Sequence, residues 1–193
     1  MRRSTRNIAA AIVAGALTAV ASPALADGQS PQSGEPAPLL RSSFGISTYI
    51  HVGIRNHKSK KYLQPSGGSI SVGAKIVQNS YTGGLEQKWL MFDSEGSLYS
   101  FENNKSGLNL GIDGASTSAG AAAIQATGSG DYNQDWQVDW VSSSVFALKN
   151  RKSGMCLGIS NASTSNGAQA AQFRCDGSSN QSWAAVPWGS AGS

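Results

Sequence analysis

Short apolar runs alternate with polar turns along most of the chain. Towards its end the runs occupy residues 145–148, 155–159, 168–174 and 181–186, and stretches rich in Gly, Ser and Asn separate them. Runs of this length bounded by such turns are typical of β-strands. No long stretch spaces its apolar residues every 3.6 positions, so we expect no helix longer than a single turn. The pattern predicts four short strands in this part of the chain.

The same arrangement occurs three times along the sequence. A Gln-x-Trp motif marks each copy, and its tryptophans stand at positions 89, 136 and 183, which gives a period of 47 residues. Asparagine, lysine, serine, leucine and glycine positions also coincide between the copies, with no insertion. A fixed period of this length indicates one supersecondary unit used repeatedly. We predict one domain over residues 47–190, with repeats at about 48–95, 96–142 and 143–190.

Twelve short strands in three copies require a closed arrangement, because open sheet edges would pair with other chains. A threefold barrel capped by hairpins provides that closure. Trp89, Trp136 and Trp183 are then expected at equivalent buried places in one shared core. The glutamine of each motif is expected to hydrogen-bond the backbone of a turn that would otherwise lack a partner. The predicted fold class is all-β with pseudo-threefold symmetry.

The first 46 residues differ from the repeats in composition. Residues 1–26 combine three arginines, an apolar run and Ala24-Leu25-Ala26, which predicts a secretory signal peptide cut before Asp27. The apolar run is shorter than a membrane span, and the protein is expected to be extracellular. The choice between the general and the twin-arginine export route stays open, because Arg2-Arg3 is present but its neighbours fit poorly. Residues 27–46 are rich in Pro, Ser and Gly, which predicts a flexible linker.

Charge and cysteine usage narrow the classes of partner. Removal of the signal peptide takes away three arginines and no acid, so the formal net charge falls from +4 to +1 and does not favour nucleic acid. Two cysteines and two distant histidines make no zinc spacing, so neither a metal nor a cofactor is expected. Cys156 and Cys175 are expected to form a disulfide that closes a loop of about 20 residues. At the same positions the first copy has Tyr62 and Tyr81, an aromatic pair that can fill that place.

Three Gln-x-Trp copies, with Cys156-Leu157, Gly167 and Cys175 at their spacings, resemble the ricin B-type lectin domain found in secreted bacterial proteins. The resemblance covers about three quarters of the chain. It implies a β-trefoil of three homologous four-stranded repeats. It also implies a monomeric, non-catalytic lectin that binds galactose-type, xylan-type or related sugars in shallow pockets, up to one per copy. The implied partners are glycans: cell-wall or plant polysaccharides, or glycoconjugates.

The family pocket has three recognisable parts besides the motif glutamine. An Asp lies two residues after the first cysteine, an aromatic residue lies two before the second, and a polar residue directly precedes Gln-x-Trp. An aromatic plate with a few fixed polar groups is the usual composition of a sugar site. The third copy matches best, with Phe173, Asn180 and Gln181, but Gly158 takes the place of the Asp. An aspartate at position 158 is expected to strengthen binding, unless glycine is needed there for a positive φ.

The first copy departs further from this pattern. Gln64 takes the place of the Asp, Asn79 that of the aromatic residue, and Glu86 precedes Gln87. With no aromatic plate, these residues predict at most an amide-based site. An ionised hydrogen-bond partner contributes about 1.5–3 kcal/mol, so a pocket that lacks the carboxylate is expected to bind weakly.

The second copy retains only Asn133 and Gln134 of the pocket, because Gly111 and Ala126 take the other two places. Asp113, two residues beyond Gly111, is a candidate substitute from a shifted loop. The sequence therefore indicates a vestigial site in this copy.

Two other functions are considered from the same residues. His51 and His57 have no partnered nucleophile, and the acidic residues are dispersed, whereas sugar hydrolysis requires paired carboxylates across a cleft. We therefore expect no catalytic residues and no enzyme activity. A protein-binding trefoil, either an inhibitor or an interaction module with decayed sugar pockets, stays open as the alternative, because every copy lacks the Asp.

Overall fold

The computed structural model describes residues 49–188. The predicted signal peptide and linker lie outside the described residues and stay predictions. The described part is built from twelve strands and six three-residue 3₁₀ turns, and it has no α-helix. None of its helical segments has the length and apolarity needed to cross a membrane. The strands are β1 (Ile50–Asn56), β2 (Tyr62–Pro65), β3 (Ile76–Asn79), β4 (Trp89–Glu95), β5 (Leu98–Asn103), β6 (Asn109–Ile112), β7 (Ala123–Ala126), β8 (Trp136–Trp140), β9 (Phe146–Asn150), β10 (Cys156–Ile159), β11 (Ala168–Phe173) and β12 (Ser182–Pro187).

Six of these strands close into a barrel. The pairs β1–β4, β4–β5, β5–β8, β8–β9, β9–β12 and β12–β1 are all antiparallel and return to their starting strand. The other six strands form the hairpins β2–β3, β6–β7 and β10–β11. Each repeat therefore supplies its first and fourth strands to the barrel and its second and third to a hairpin. This confirms the capped threefold barrel, and the fold is a β-trefoil.

The three motif tryptophans form the centre of the core. Trp89, Trp136 and Trp183 are each fully buried, as predicted. Their indole nitrogens donate to the carbonyl oxygens of the equivalent leucines at 3.0, 3.1 and 2.9 Å. The bond joins the fourth strand of a repeat to the second strand of the same repeat, and no polar atom of the ring is left unpaired in the core. The accepting leucines are Leu63, Leu110 and Leu157.

A second set of glutamines connects each repeat to another one. Gln78, Gln125 and Gln172 are fully buried on the third strand of their repeats. The side-chain amide of each donates to two serine carbonyls in a hairpin turn of a different repeat, at 2.8–3.1 Å. The first repeat bonds the third, the third bonds the second, and the second bonds the first, so the bonds form a closed cycle. The accepting serines are Ser163 and Ser165, Ser69 and Ser71, and Ser116 and Ser118.

Gln169 lies at a position where the other two repeats have no glutamine. The Nε2 atom of Gln169 lies 2.9 Å from Ile76 O, 3.2 Å from Ala123 O and 2.6 Å from Ala170 O. These carbonyls stand at equivalent positions of the three repeats, so the amide lies where the repeats converge on the pseudo-threefold axis. The two counterparts of Gln169 in sequence are Lys75 and Ala122.

The predicted disulfide is confirmed in the third repeat. Cys156 and Cys175 are bonded, with their Cα atoms 5.0 Å apart. The aromatic pair predicted for the first repeat is also confirmed, because the rings of Tyr62 and Tyr81 have centroids 5.1 Å apart. Tyr81 makes a further edge contact with the ring of Trp188, at 6.0 Å. Two chemically different links therefore join the second strand of a repeat to the segment just after its third strand, in different repeats.

Candidate functional site

The residues predicted for the third copy meet around Gly158. In the hairpin β10–β11, Gly158 pairs with Ala171, and Phe173 ends β11 opposite Cys156. The 3₁₀ turn Ser179–Gln181 carries Asn180 over the same hairpin. A Cβ atom placed on Gly158 would lie 3.3 Å from Phe173 Cδ2 and 3.5 Å from Asn180 Nδ2. The glycine therefore forms the floor between an aromatic ring and a side-chain amide.

The turn that carries Asn180 is anchored, but the side-chain amide of Asn180 has no hydrogen-bond partner among the described residues. Its backbone carbonyl accepts a hydrogen bond from Asn56 Nδ2 at 2.9 Å, which anchors the turn to β1. Its side chain is half-buried and makes no hydrogen bond to any residue between 49 and 188. Phe173 is half-buried beside it. A ring on the hairpin and an unbonded amide on the adjoining turn are the parts that a sugar ring requires.

Gln181 lies next to these residues but is directed to the backbone. Its Nε2 donates to Arg174 O at 3.0 Å, and its Oε1 accepts from Asp176 N at 3.3 Å. Gln87 holds Ser80 O and Thr82 N in the same way. All three motif glutamines are buried, which confirms the interpretation that they satisfy turn backbone. A direct contact of Gln87, Gln134 or Gln181 with a sugar stays a prediction.

The turn that carries Asn180 begins at an ionised side chain. Asp176 lies directly after Cys175, and its Oδ1 accepts from the backbone N–H of Ser178 at 2.8 Å. Hydrogen bonding from Ser178 lowers the pKa of Asp176 below the ordinary value. The carboxylate form therefore favours the folded turn at neutral pH.

The first copy holds its pocket residues in internal hydrogen bonds. Gln64 is buried, and its Oε1 accepts from Gln87 Nε2 at 2.8 Å. Asn79 Oδ1 accepts from the backbone N–H of Gly167, at 3.0 Å. Glu86 Oε1 accepts from Thr82 Oγ1 at 3.0 Å. A ligand in this copy would have to displace these bonds, so the geometry does not favour the amide-based site.

The second copy has a different surface from the one that the sequence predicts. Asn133 is buried and donates to Ile112 O at 3.2 Å, and Gln134 holds Thr127 O at 3.0 Å. Asp113 is exposed on the hairpin turn. Sequence reasoning overlooked Tyr132, which precedes Asn133 and is 56% exposed. The signal was present, since an aromatic residue stands at this position in the second copy alone.

No group of three or more His, Cys, Asp or Glu side chains within residues 49–188 is arranged to hold a metal ion. A comparison with curated proteins finds no match for the chain. The model of the ricin-type beta-trefoil lectin domain family matches residues 51–185.

Several solved structures share the fold. ThreeFoil, a designed threefold-symmetric protein, is 37% identical, with a TM-score of 0.69 over 70% of this chain and 97% of its own. An exo-β-1,3-galactanase from Clostridium thermocellum is 30% identical, with a TM-score of 0.70 over 72% of this chain, which spans 30% of the galactanase. The ricin B-like lectin of Macrolepiota procera in complex with lactose is 19% identical and shares the fold over 75% of this chain and 99% of its own, with a TM-score of 0.63. The chain belongs to the ricin-type β-trefoil lectin domain family.

Proposed function

We propose that this protein is a secreted, monomeric, non-catalytic lectin that binds galactose-type or xylan-type glycans weakly through its third copy. The observation that carries the proposal is the unbonded Asn180 amide beside the half-buried Phe173 ring, across the open floor at Gly158. Secretion is supported by the disulfide between Cys156 and Cys175, since such bonds persist in oxidising compartments.

The type of ligand is inferred from the proteins that share the fold. One of them is an exo-β-1,3-galactanase, and another is a lectin in complex with lactose. The third copy lacks the acidic acceptor, and an ionised partner contributes about 1.5–3 kcal/mol. Since 1.4 kcal/mol corresponds to a tenfold change in affinity, the dissociation constant is expected to be roughly ten- to a hundredfold higher than in a site with that carboxylate.

The test is an NMR titration of the secreted protein with galactose, lactose and xylo-oligosaccharides, following backbone amide shifts. Asn180→Ala is the sharpest variant. Its side chain makes no hydrogen bond within residues 49–188, so its loss is expected to leave the melting temperature unchanged while weakening binding. Phe173→Ala is expected to abolish shifts around residues 173–180. Trp140→Ala, at an exposed ring elsewhere on the surface, is the control and is expected to bind like the parent.

Two outcomes would contradict the proposal. If Phe173→Ala and Asn180→Ala both bind as tightly as the parent, the third copy is not the site. If no glycan on an array or in the titration binds the parent, the protein-binding alternative with decayed sugar pockets becomes the better explanation.

A further inference from the structure

Tyr132 is an exposed aromatic ring that the protein holds in place. The guanidinium of Arg151 lies 3.8 Å from the ring centroid, which is the geometry of a cation–π contact. Arg151 Nη1 in turn bonds Asp135 Oδ2 at 3.1 Å, and the buried Asp135 also accepts from Ser100 Oγ at 3.1 Å. A ring that is already ordered loses little conformational entropy when a ligand stacks on it. Tyr132 therefore has the properties of a pre-organised binding plate.

A cleft opens beside this ring. It is lined by Ala115, Gly130, Asp131, Tyr132, Asn133 and Lys152. Arg151, whose guanidinium lies over the tyrosine ring, is not among these residues.

The cleft contains two polar groups with free bonding capacity. Asp131 Oδ2 accepts from Ser129 Oγ at 2.6 Å, whereas Oδ1 makes no hydrogen bond to any residue between 49 and 188. Lys152 Nζ likewise makes no hydrogen bond within this part of the chain. A carboxylate acceptor and an ammonium donor therefore flank the ring, and their charges cancel.

The equivalent surfaces of the other two copies are built differently. Lys58, the counterpart of Lys152, donates to Ala162 O of the third copy at 2.8 Å. Lys105 reaches over the hairpin turn of the first copy, where its Nζ is 2.9 Å from the position of a Cβ on Gly68. Tyr132 has no aromatic counterpart in either copy, since those positions are Leu85 and Ser179. Among the three equivalent surfaces of the described chain, only the one at Tyr132 combines an exposed ring with an unbonded lysine, and that lysine, Lys152, belongs to the third repeat.

We propose that the second copy binds a neutral pyranose residue of a glycan in this cleft, with Tyr132 against the apolar face of the sugar. Asp131 accepts from the sugar hydroxyls and Lys152 donates to them. The lack of net charge favours a neutral sugar, because a uronate carboxylate would gain from Lys152 but be repelled by Asp131. The inference extends the proposed lectin function to a second site and does not depend on the pocket at Phe173.

This site uses none of the positions from which the sequence predicted binding by the second copy, apart from the adjoining Asn133. Two sites on one rigid domain would also change binding to a polymer. A glycan chain long enough to reach both would bind with an effective concentration for the second contact that a monosaccharide lacks.

The test uses the Phe173→Ala protein, in which the third copy is silenced. It is titrated with methyl β-galactopyranoside, methyl β-xylopyranoside and methyl β-glucuronide, and the amide shifts of residues 130–133 are followed by NMR. At least one neutral glycoside is expected to shift these amides and to bind more tightly than the glucuronide. Tyr132→Ala is expected to weaken that binding at least tenfold, whereas Tyr132→Phe retains it.

Lys152→Gln is expected to weaken binding severalfold, and Lys105→Gln, the counterpart in the second repeat that reaches over the first copy, is the matched control without effect. The melting temperature of each variant shows that it remains folded. The inference is overturned if residues 130–133 do not respond to any neutral glycoside, if Tyr132→Ala binds like its parent, or if the glucuronide binds more tightly. Because the third copy is silenced throughout, failure here and failure at Phe173 are separate results.

Discussion

The first and third copies place equivalent pocket residues on equivalent backbone and leave them in opposite states. In the third copy Gly158 leaves the floor open, and the Asn180 amide has no partner within the described chain. In the first copy Gln64 fills that floor, and its carbonyl oxygen is bonded by the amide of Gln87 at 2.8 Å. A single side chain that fills the floor and accepts a hydrogen bond from its neighbour is therefore enough to close a pocket without any change in fold.

The same two copies also differ in how the first strand of their hairpin is linked to the segment that follows the hairpin. A disulfide joins Cys156 to Cys175, whereas Tyr62 and Tyr81 are joined by ring contact alone. The open pocket thus lies on the covalently fastened hairpin. A site with unbonded polar groups contributes less to folding, and the disulfide offsets this loss by restricting the unfolded chain.

The largest losses of stability are expected at the motif tryptophans, where the first and third copies should behave alike. Trp89→Ala and Trp183→Ala are each expected to lower the free energy of unfolding by about 3–5 kcal/mol, because each removes a fully buried ring. Urea unfolding of both variants measures this. Trp140→Ala, at a partly exposed ring that contacts Phe146, should cost about 1 kcal/mol. Clearly unequal losses at Trp89 and Trp183 would break the symmetry of the core.

The next largest loss of stability should differ between the two copies, because one has a disulfide and the other a tyrosine pair. Replacing both Cys156 and Cys175 by Ala is expected to lower the free energy of unfolding by about 3 kcal/mol, the value for a loop of this length. Tyr81→Ala in the first copy should cost only about 0.5–1.5 kcal/mol. Thiol labelling of denatured parent protein should find no free cysteine. A tyrosine variant as damaging as the disulfide variant would show that the two links are equivalent.

A smaller effect concerns the floor of the open pocket. Gly158 has no positive φ, so the reservation attached to an aspartate at this position does not apply. Steric crowding is the obstacle instead, because a Cβ at position 158 would lie 2.9 Å from Gln181 Cγ. Gln181 is held in place by two hydrogen bonds to backbone. Gly158→Asp is expected to lower the free energy of unfolding by about 1–3 kcal/mol.

Any gain in glycan affinity from the new carboxylate is therefore expected to be offset by displacement of Gln181. The matched variant is Gly111→Asp in the second copy, where the corresponding distance to Gln134 Cγ is 3.1 Å and the loss should be smaller. Thermal unfolding and lactose titration of both variants measure the two effects. A stable Gly158→Asp protein that binds more tightly would restore the expectation drawn from the sequence.

The smallest effect is a pH dependence confined to the third copy. The pKa of Asp176 is lowered in the folded protein, so its carboxylate stabilises the fold above the unfolded value of about 3.9. This contribution is lost as pH falls through the lower folded pKa. Asp176→Asn should therefore be slightly less stable than the parent at about pH 5.5, and the difference should be smaller at about pH 2.5. A difference that stays constant between the two pH values would assign the effect to packing.

The fold was predictable because the repetition is exact in length. With no insertion in any copy, the tryptophans of the three motifs had to occupy equivalent places, and the indole bonds to Leu63, Leu110 and Leu157 show that they do. The pairing of cysteines and of tyrosines followed from the same alignment. Local composition sufficed here, since each of these contacts joins residues within one repeat.

The sequence did not reveal contacts that depend on which repeat is the neighbour. Gln78 stands at the same place in its repeat as its counterparts, and nothing local indicates that it bonds Ser163 and Ser165 of another repeat. The site shows the same limit. Asn133 and Asn180 align, yet one donates to Ile112 O and the other is unbonded, because the difference arises in their three-dimensional surroundings.

The amide of Gln169 has a consequence for how far such a molecule can be symmetric. Three equivalent carbonyls converge on one axial position, and that position holds a single nitrogen atom. A perfectly repeated sequence would bring either three competing glutamine side chains to this position or none. Without a glutamine, the three carbonyl dipoles would face one another around a water or a cation. Lys75 and Ala122, the counterparts of Gln169, leave the axis to it. At this position the divergence of the repeats allows a single side chain to donate to a carbonyl of each of the three.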